Sequence, residues 1–378
     1  MYTDNQLLEI AGKFDIDGRI DQIKALGPGF INDTMIVSTI AGTSGKAQKY
    51  ILQRKNHIVF PDVPGMMRNI ELVTSHIKKK VAAEGGDPMR EVLTIVRRRE
   101  DSLTDKEKEL PASDLYYKDD RGNFWAMCIF IEGSVTYEKA DTPALCFKGG
   151  QGIGRFQAYL ADFTTPLTET IKGFHNIRWR FQQWDEALKR DAAGRVASLA
   201  DEISWIESRK KQMLDFWSLI EDGTIPTRVT HNDTKISNIL FDRNGDVLCV
   251  IDLDTCMSST SLNDFGDAIR SYTNTGAEDD RDLSKVGISL EMFKAYTQGY
   301  LSERKATLCN SELDYLAFSA RYITFEQVLR FLMDYIDGDV YYKIKSPDHN
   351  LVRTHAQYKL LQSMEENYEE MVRIVKSC

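Results

Sequence analysis

An α+β chain of two lobes is what this sequence predicts: a small antiparallel-sheet lobe over residues 1–132, then a larger, mainly helical lobe over 133–378. Three observations lead there. Short runs of β-branched and aliphatic residues, broken by glycine turns, crowd the first third of the chain. Apolar patterns of 3.6-residue period fill most of the rest. A chain of 378 residues is also too long for one small core.

The elements follow in order. Residues 5–14 place Leu7, Leu8, Ile10, Ala11 and Phe14 at helical spacing. A strand over 23–26, the turn Gly27-Pro28-Gly29 and a strand over 35–40 come next. The third strand spans 49–54 and a helix spans 64–81. Gly85-Gly86-Asp87-Pro88 and the charged run over 97–108 read as surface loops or hairpin tips, the charges marking a solvated face. Residues 125–131 form the last strand of the small lobe and lead into Glu132-Gly133. Helical periodicity then covers 147–160, 187–220, 292–301, 312–337 and 351–376. Phe174-His175 falls between helices, ahead of Arg178, Trp179, Arg180 and Phe181, and His175 reads first as a packed structural histidine.

The chemistry concentrates in His231-Asn232-Asp233-Thr234-Lys235-Ile236-Ser237-Asn238, followed by Val250-Ile251-Asp252-Leu253-Asp254. The pattern is H-x-D-x-K-x-x-N, then an apolar run ending in Asp. That is the spacing of a kinase catalytic loop and its metal-binding strand. Asp233 is the candidate base for an attacking hydroxyl. Asn238 and Asp252 are candidate magnesium ligands. Lys235 can reach a transferring phosphoryl group. Asn244-Gly245 between two short apolar runs signals a hairpin, which would set base and metal ligand on opposite sides of one cleft. Asp254 stays open: it could support the metal ligands or touch a second metal. Asp264-Phe265-Gly266 spells a kinase metal triplet but follows a loop-like run rather than an apolar strand. Asp264 and Asp267 are therefore expected to organise the start of a helix through Ala268-Ile269-Arg270.

These residues, with Ile31-Asn32-Asp33-Thr34, Tyr50-Ile51-Leu52-Gln53, Phe174-His175, Asp264 to Arg270 and Arg330-Phe331-Leu332-Met333-Asp334-Tyr335, resemble the aminoglycoside phosphotransferase family. Within that family the chain is most similar to the N-acetylhexosamine 1-kinases. The resemblance implies a bilobal protein-kinase-like fold that uses ATP and Mg2+. It also implies transfer of the γ-phosphate to the anomeric hydroxyl of GlcNAc or GalNAc. The turn ending in Gly29 would cover the ATP phosphates, with Asn32 and Thr34 adding hydrogen bonds. Glu132 would mark the hinge whose backbone meets adenine. The phosphate-binding lysine of the common kinase pattern is replaced: position favours Gln53, charge favours Arg54, and strand alternation lets only one face the phosphates. Glu71 is the candidate partner carboxylate on the following helix. Arg330 and Tyr341 would lie near the sugar, and Asp233 must reach the hydroxyl it activates.

Composition narrows the alternatives. A net charge of −9 argues against nucleic acid and anionic membranes as partners. The six cysteines show no paired or ligand spacing, which suits reduced thiols. No apolar run approaches a membrane span and the N-terminus does not read as a signal peptide, so a cytoplasmic protein is expected. Rival readings are a kinase of an aminoglycoside, homoserine, choline or another sugar, for which Asp334, Asp337 and Asp339 offer an acidic cluster, and a catalytically silent nucleotide-binding module. Sulfate-ester hydrolysis is rejected, because Thr224-Ile225-Pro226-Thr227-Arg228 carries Thr where the nucleophile precursor must be Cys or Ser.

Overall fold

The structure, a computed structural model, describes residues 2–26, 32–42 and 45–378; the expected phosphate-loop glycine, Gly29, lies outside them. Its contacts define two compact units. The first comprises Met1–Val135, Asp162–Ile171 and Leu240–Met257. The second comprises Thr136–Ala161, Lys172–Ile239 and Ser258–Cys378. Beyond residue 132 the first unit thus takes in two later segments, one of which carries Asp252 and Asp254.

The first unit is built on a six-stranded antiparallel sheet: β1 (Ile20–Ala25), β2 (Asp33–Thr39), β3 (Lys49–Lys55), β4 (Ile95–Val96), β5 (Tyr117–Lys118) and β6 (Phe124–Ile129). The order is β1-β2-β3-β6-β4, with β5 also paired to β6. Val37 pairs with Tyr50, Met35 with Leu52 and Leu52 with Met127, so these side chains share one face. That face packs on Ile10, Ala11 and Phe14 to make the apolar core, with Trp125 fully buried. Ile10 and Ala11 belong to helix α1 (Asp4–Ala11), whose start is fixed by a capping box between Thr3 and Gln6. Helix α2 (Val63–Ala83) starts from the Asp62 side chain, with a proline in its first turn. The charged run is only partly solvated. Arg98 is buried, pairs with Glu107 at 2.7 Å and donates to the Ser102 carbonyl, acceptors that offset the cost of burying its guanidinium.

The second unit is helical. Its helices include Pro143–Tyr159, Ile177–Arg190, Ala200–Glu221, Ser261–Tyr272, Leu290–Arg304, Asn310–Ile336 and His349–Glu366. Ser261–Tyr272 is the central one, with every residue but Ser271 buried. Pro143–Tyr159 packs on Leu290–Arg304 at backbone distance. A Cβ built on Gly150 would lie 2.2 Å from the Tyr296 carbonyl oxygen, and one on Gly299 would lie 1.9 Å from that of Phe147. No described helix is long and apolar enough to cross a membrane.

Candidate active site

In the first unit, the polar residues lie on the sheet face opposite the α1 core. Alternation sets Tyr50, Leu52 and Arg54 on the core side, and Ile51, Gln53 and Lys55 on the other. Arg54 accordingly pairs with its cross-strand neighbour Asp33 and stands over the Tyr2 ring. Gln53 donates to Thr34 Oγ1 (3.3 Å) and accepts from Lys55 Nζ (2.7 Å). Gln53 thus shares its face with Lys55, and Arg54 does not.

Lys55, one residue beyond that pair, is the buried cation of the strand. Its ammonium is 4% exposed and lies 2.7 Å from Asp254 Oδ1. Asn32 Nδ2 donates to the other oxygen, Asp254 Oδ2 (2.8 Å), and Asn32 Oδ1 accepts from the Asn56 amide (3.0 Å). Asp254 is therefore the carboxylate partner of a buried lysine. Glu71, expected in that role, instead pairs with Arg97. A strand one turnover of alternation longer would have indicated Lys55, since it follows Gln53 at the same-face spacing. Asp252 ends the run beyond strand Val247–Val250 in a left-handed conformation (φ 59°) that non-glycine residues seldom adopt. The twist leaves Asp252 exposed while Asp254, two residues on, is buried. Glu132 pairs with Lys49 (3.0 Å), and its carbonyl accepts from Arg90 (3.0 Å).

In the second unit, strand Arg228–Thr230 delivers the His231 loop. Asp233 Oδ1 faces Lys235 Nζ at 2.8 Å, and Asn238 Nδ2 donates to both the Asp233 carbonyl (2.8 Å) and Oδ2 (3.1 Å). The backbone is held from below by helix Ser261–Tyr272. Asp264 accepts from the amides of His231 (2.9 Å) and Asn232 (2.7 Å), and Asp267 accepts from that of Thr234 (2.9 Å). Asp264 lies in the first turn of that helix, as expected, while Asp267 lies further in; Thr260 supplies the cap, and both carboxylates also bind the loop. Burial raises the Asp264 carboxyl above the usual range, against the amides and His231. Burial opposes ionisation of Asp267 too, yet Arg270 and Lys235 pull it below that range.

Further along the same unit, Arg330 lies among three rings, those of Phe174 (5.7 Å), Tyr342 (5.6 Å) and the exposed Tyr341 (5.9 Å). The acidic residues beside it are engaged. Asp334 accepts from the amides of Val340, Tyr341 and Tyr342 and from Asn350. Asp337 pairs with Arg190 and Asp339 with Arg195. The basic-aromatic patch is likewise structural, with Arg178 on Glu221 and Arg180 on Glu326.

The donor chemistry suits a hard divalent cation. With its amide nitrogen committed to Asp233, Asn238 offers its oxygen, and Asp252 offers a carboxylate. Among the described residues no group of three or more His, Cys, Asp or Glu is placed to hold an ion; a magnesium shared with phosphates needs no such cage.

A carboxylate flanked by a lysine and an amide on a loop between short strands in one unit, and an antiparallel sheet with a buried lysine in the other, together define a kinase-like phosphotransferase fold. The model of the phosphotransferase enzyme family, APH, matches residues 22–287, and the chain belongs to that family. Solved structures of similar fold include a microcompartment-associated aminopropanol kinase (16% identity, 98% of this chain and 99% of that one, TM-score 0.61). An aminoglycoside phosphotransferase from Alicyclobacillus acidocaldarius is similar as well (12% identity, 98% and 96%, TM-score 0.57). So is an amicoumacin kinase bound to AMP-PNP, Ca2+ and amicoumacin (14% identity, 99% and 95%, TM-score 0.55).

Proposed function

We propose that this protein is an ATP-dependent small-molecule kinase, and that its acceptor is the anomeric hydroxyl of an N-acetylhexosamine. Family membership and the conformation of the Asp233 loop support the first part. The observation that carries the second is the pairing around Arg330. Asp337 and Asp339 are each paired with an arginine, and the Asp334 oxygens are taken up by amide donors, so these carboxylates are already engaged and poorly suited to a polycationic acceptor. A guanidinium flanked by Tyr341, Tyr342 and Phe174 suits a neutral, hydroxyl-rich ring with an apolar face.

In this reading the first unit binds the nucleotide and the second the sugar. Asn238 and Asp252 would hold magnesium, which would screen the triphosphate charge. Asp233 orients O1 and accepts its proton late. Lys235 and Lys55 stabilise charge on the phosphates, and Thr34 and Gln53 line the same sheet face as Lys55. The reaction is a direct transfer with no covalent enzyme intermediate. The setting expected for such chemistry is the cytoplasm.

The test is coupled ADP release with Mg-ATP against GlcNAc, GalNAc, their 1-O-methyl glycosides, kanamycin and homoserine. Turnover of the free sugars but not of the 1-O-methyl forms is the expected result. Turnover of kanamycin or homoserine alone would keep the phosphotransferase and overturn the sugar.

A further inference from the structure

His175 has no part in the chemistry above, yet one face of the longest described helix is given over to it and its neighbour Phe174. Tyr322, Glu326 and Arg330 stand at i, i+4 and i+8 of Asn310–Ile336 and form a stripe. The Tyr322 hydroxyl donates to the His175 carbonyl (2.7 Å) and accepts from the Ile177 amide (3.2 Å). Glu326 Oε2 lies 2.6 Å from His175 Nδ1, and its Oε1 accepts from Arg180 (3.1 Å). Arg330 covers the Phe174 ring. These contacts hold His175 in a left-handed conformation (φ 57°), a strain that surrounding structure must sustain.

The second ring nitrogen of His175 points the other way. Nε2 lies 3.5 Å from the carbonyl oxygen of Asn232, the residue before Asp233. A carboxylate and a carbonyl are both acceptors, so the ring serves both only with a hydrogen on each nitrogen. Burial works against the Glu326 carboxylate, but His175 and Arg180 hold its carboxyl far below the usual range, so an anion faces Nδ1.

We propose that His175 is a positioning residue: it seats the Asn232–Asp233 peptide at its carbonyl, where Asp264 holds the two preceding amides, and through Phe174 links that peptide to the Arg330 cluster. The proposal rests on reading Asp233 as the catalytic base. It requires that loop geometry, and not only stability, depend on the ring.

The test compares wild type, His175→Leu and His175→Gln in the full chain, well below their unfolding temperatures. Gln keeps an N–H that can reach the Asn232 carbonyl. In His175→Leu, kcat should fall by about tenfold or more, the scale of cost for a small misplacement of a reacting group. The Kd for ATP and the acceptor KM should stay within about twofold, and His175→Gln should recover part of kcat. Deuterium exchange of the 231–238 amides should quicken in His175→Leu. Unchanged kcat and unchanged exchange, with only a lower Tm, would overturn the proposal. Should His175→Leu fail to fold, Glu326→Gln against His175→Gln makes the same comparison. Should wild type turn over no acceptor, the exchange measurement still decides: faster exchange supports the positioning role while the kinase reading falls, and unchanged exchange overturns the role as well.

Discussion

The Lys55 ammonium and the Asp254 carboxylate form a buried pair at 2.7 Å, with Asn32 on the second oxygen. Removing one partner of such a pair leaves the other charged and desolvated, at about 3–5 kcal/mol. Lys55→Met should therefore lower Tm as well as activity. The double variant Lys55→Met/Asp254→Leu should regain much of the Tm and none of the turnover, since only stability is restored by removing the orphaned charge. Recovery of turnover in the double variant would take Lys55 out of the phosphate site. Asp233 tests the chemistry more directly. Asp233→Asn keeps the shape and the Asn238 contact but cannot accept a proton, so kcat should drop by roughly 10²–10⁴ with ATP affinity retained. Single-turnover rates and ATP titration of the same variant check both halves.

Elements set how close these side chains can come. The sheet splits its residues by alternation, giving Tyr50, Leu52 and Trp125 to the core and Gln53 and Lys55 to the opposite face. Helix Ser261–Tyr272 works differently: it sits inside the second unit and uses two carboxylates as acceptors for three amides of the His231 loop. Its surroundings depend on the close approach of Pro143–Tyr159 and Leu290–Arg304. At Gly150 the added Cβ would meet backbone atoms of Tyr296 and Tyr300, which cannot rotate away. Gly150→Ala should thus cost about 1–3 kcal/mol by overpacking, read as a lower urea midpoint. A midpoint equal to wild type would mean that the two helices separate freely.

At the scale of the whole molecule, buried ion pairs tie distant segments together. Glu312 accepts from Arg228 (2.9 Å), from Ser261 (2.7 Å) and from the Cys309 amide (2.9 Å). Burial would raise its carboxyl, but Arg228 and these donors lower it from 4.5 to about 2. A folded-state value below the unfolded one means that the stabilisation is complete above about pH 4.5 and is lost as pH falls towards 2. Tm should decline across that window, and Glu312→Gln should start lower at neutral pH and decline less. An equal slope in both proteins would assign the acid transition to other carboxylates.

Much of the fold and of the site is legible in the chain itself. Periodicity places the four longer sheet strands and most of the long helices, because burial on one face imposes a period of 2 or 3.6 on the residues; the two-residue strands Ile95–Val96 and Tyr117–Lys118 are too short to show one. The H-x-D-x-K-x-x-N block singles out Asp233, Lys235 and Asn238, whose side chains do meet on one loop because they lie two and three residues apart in it. What the sequence could not decide depends on contacts between residues far apart in it. Lys55 finds Asp254 across 199 positions, and Asp264 finds the His231 loop across 33. Glu71, expected to partner Gln53 or Arg54 on the third strand, pairs with Arg97 instead. The acidic residues near Arg330 read as a cation site until their own arginines and amides are seen. Local order follows from local spacing; which charge meets which partner is set by tertiary packing, because a buried charge is tolerated only where the fold brings its counter-charge.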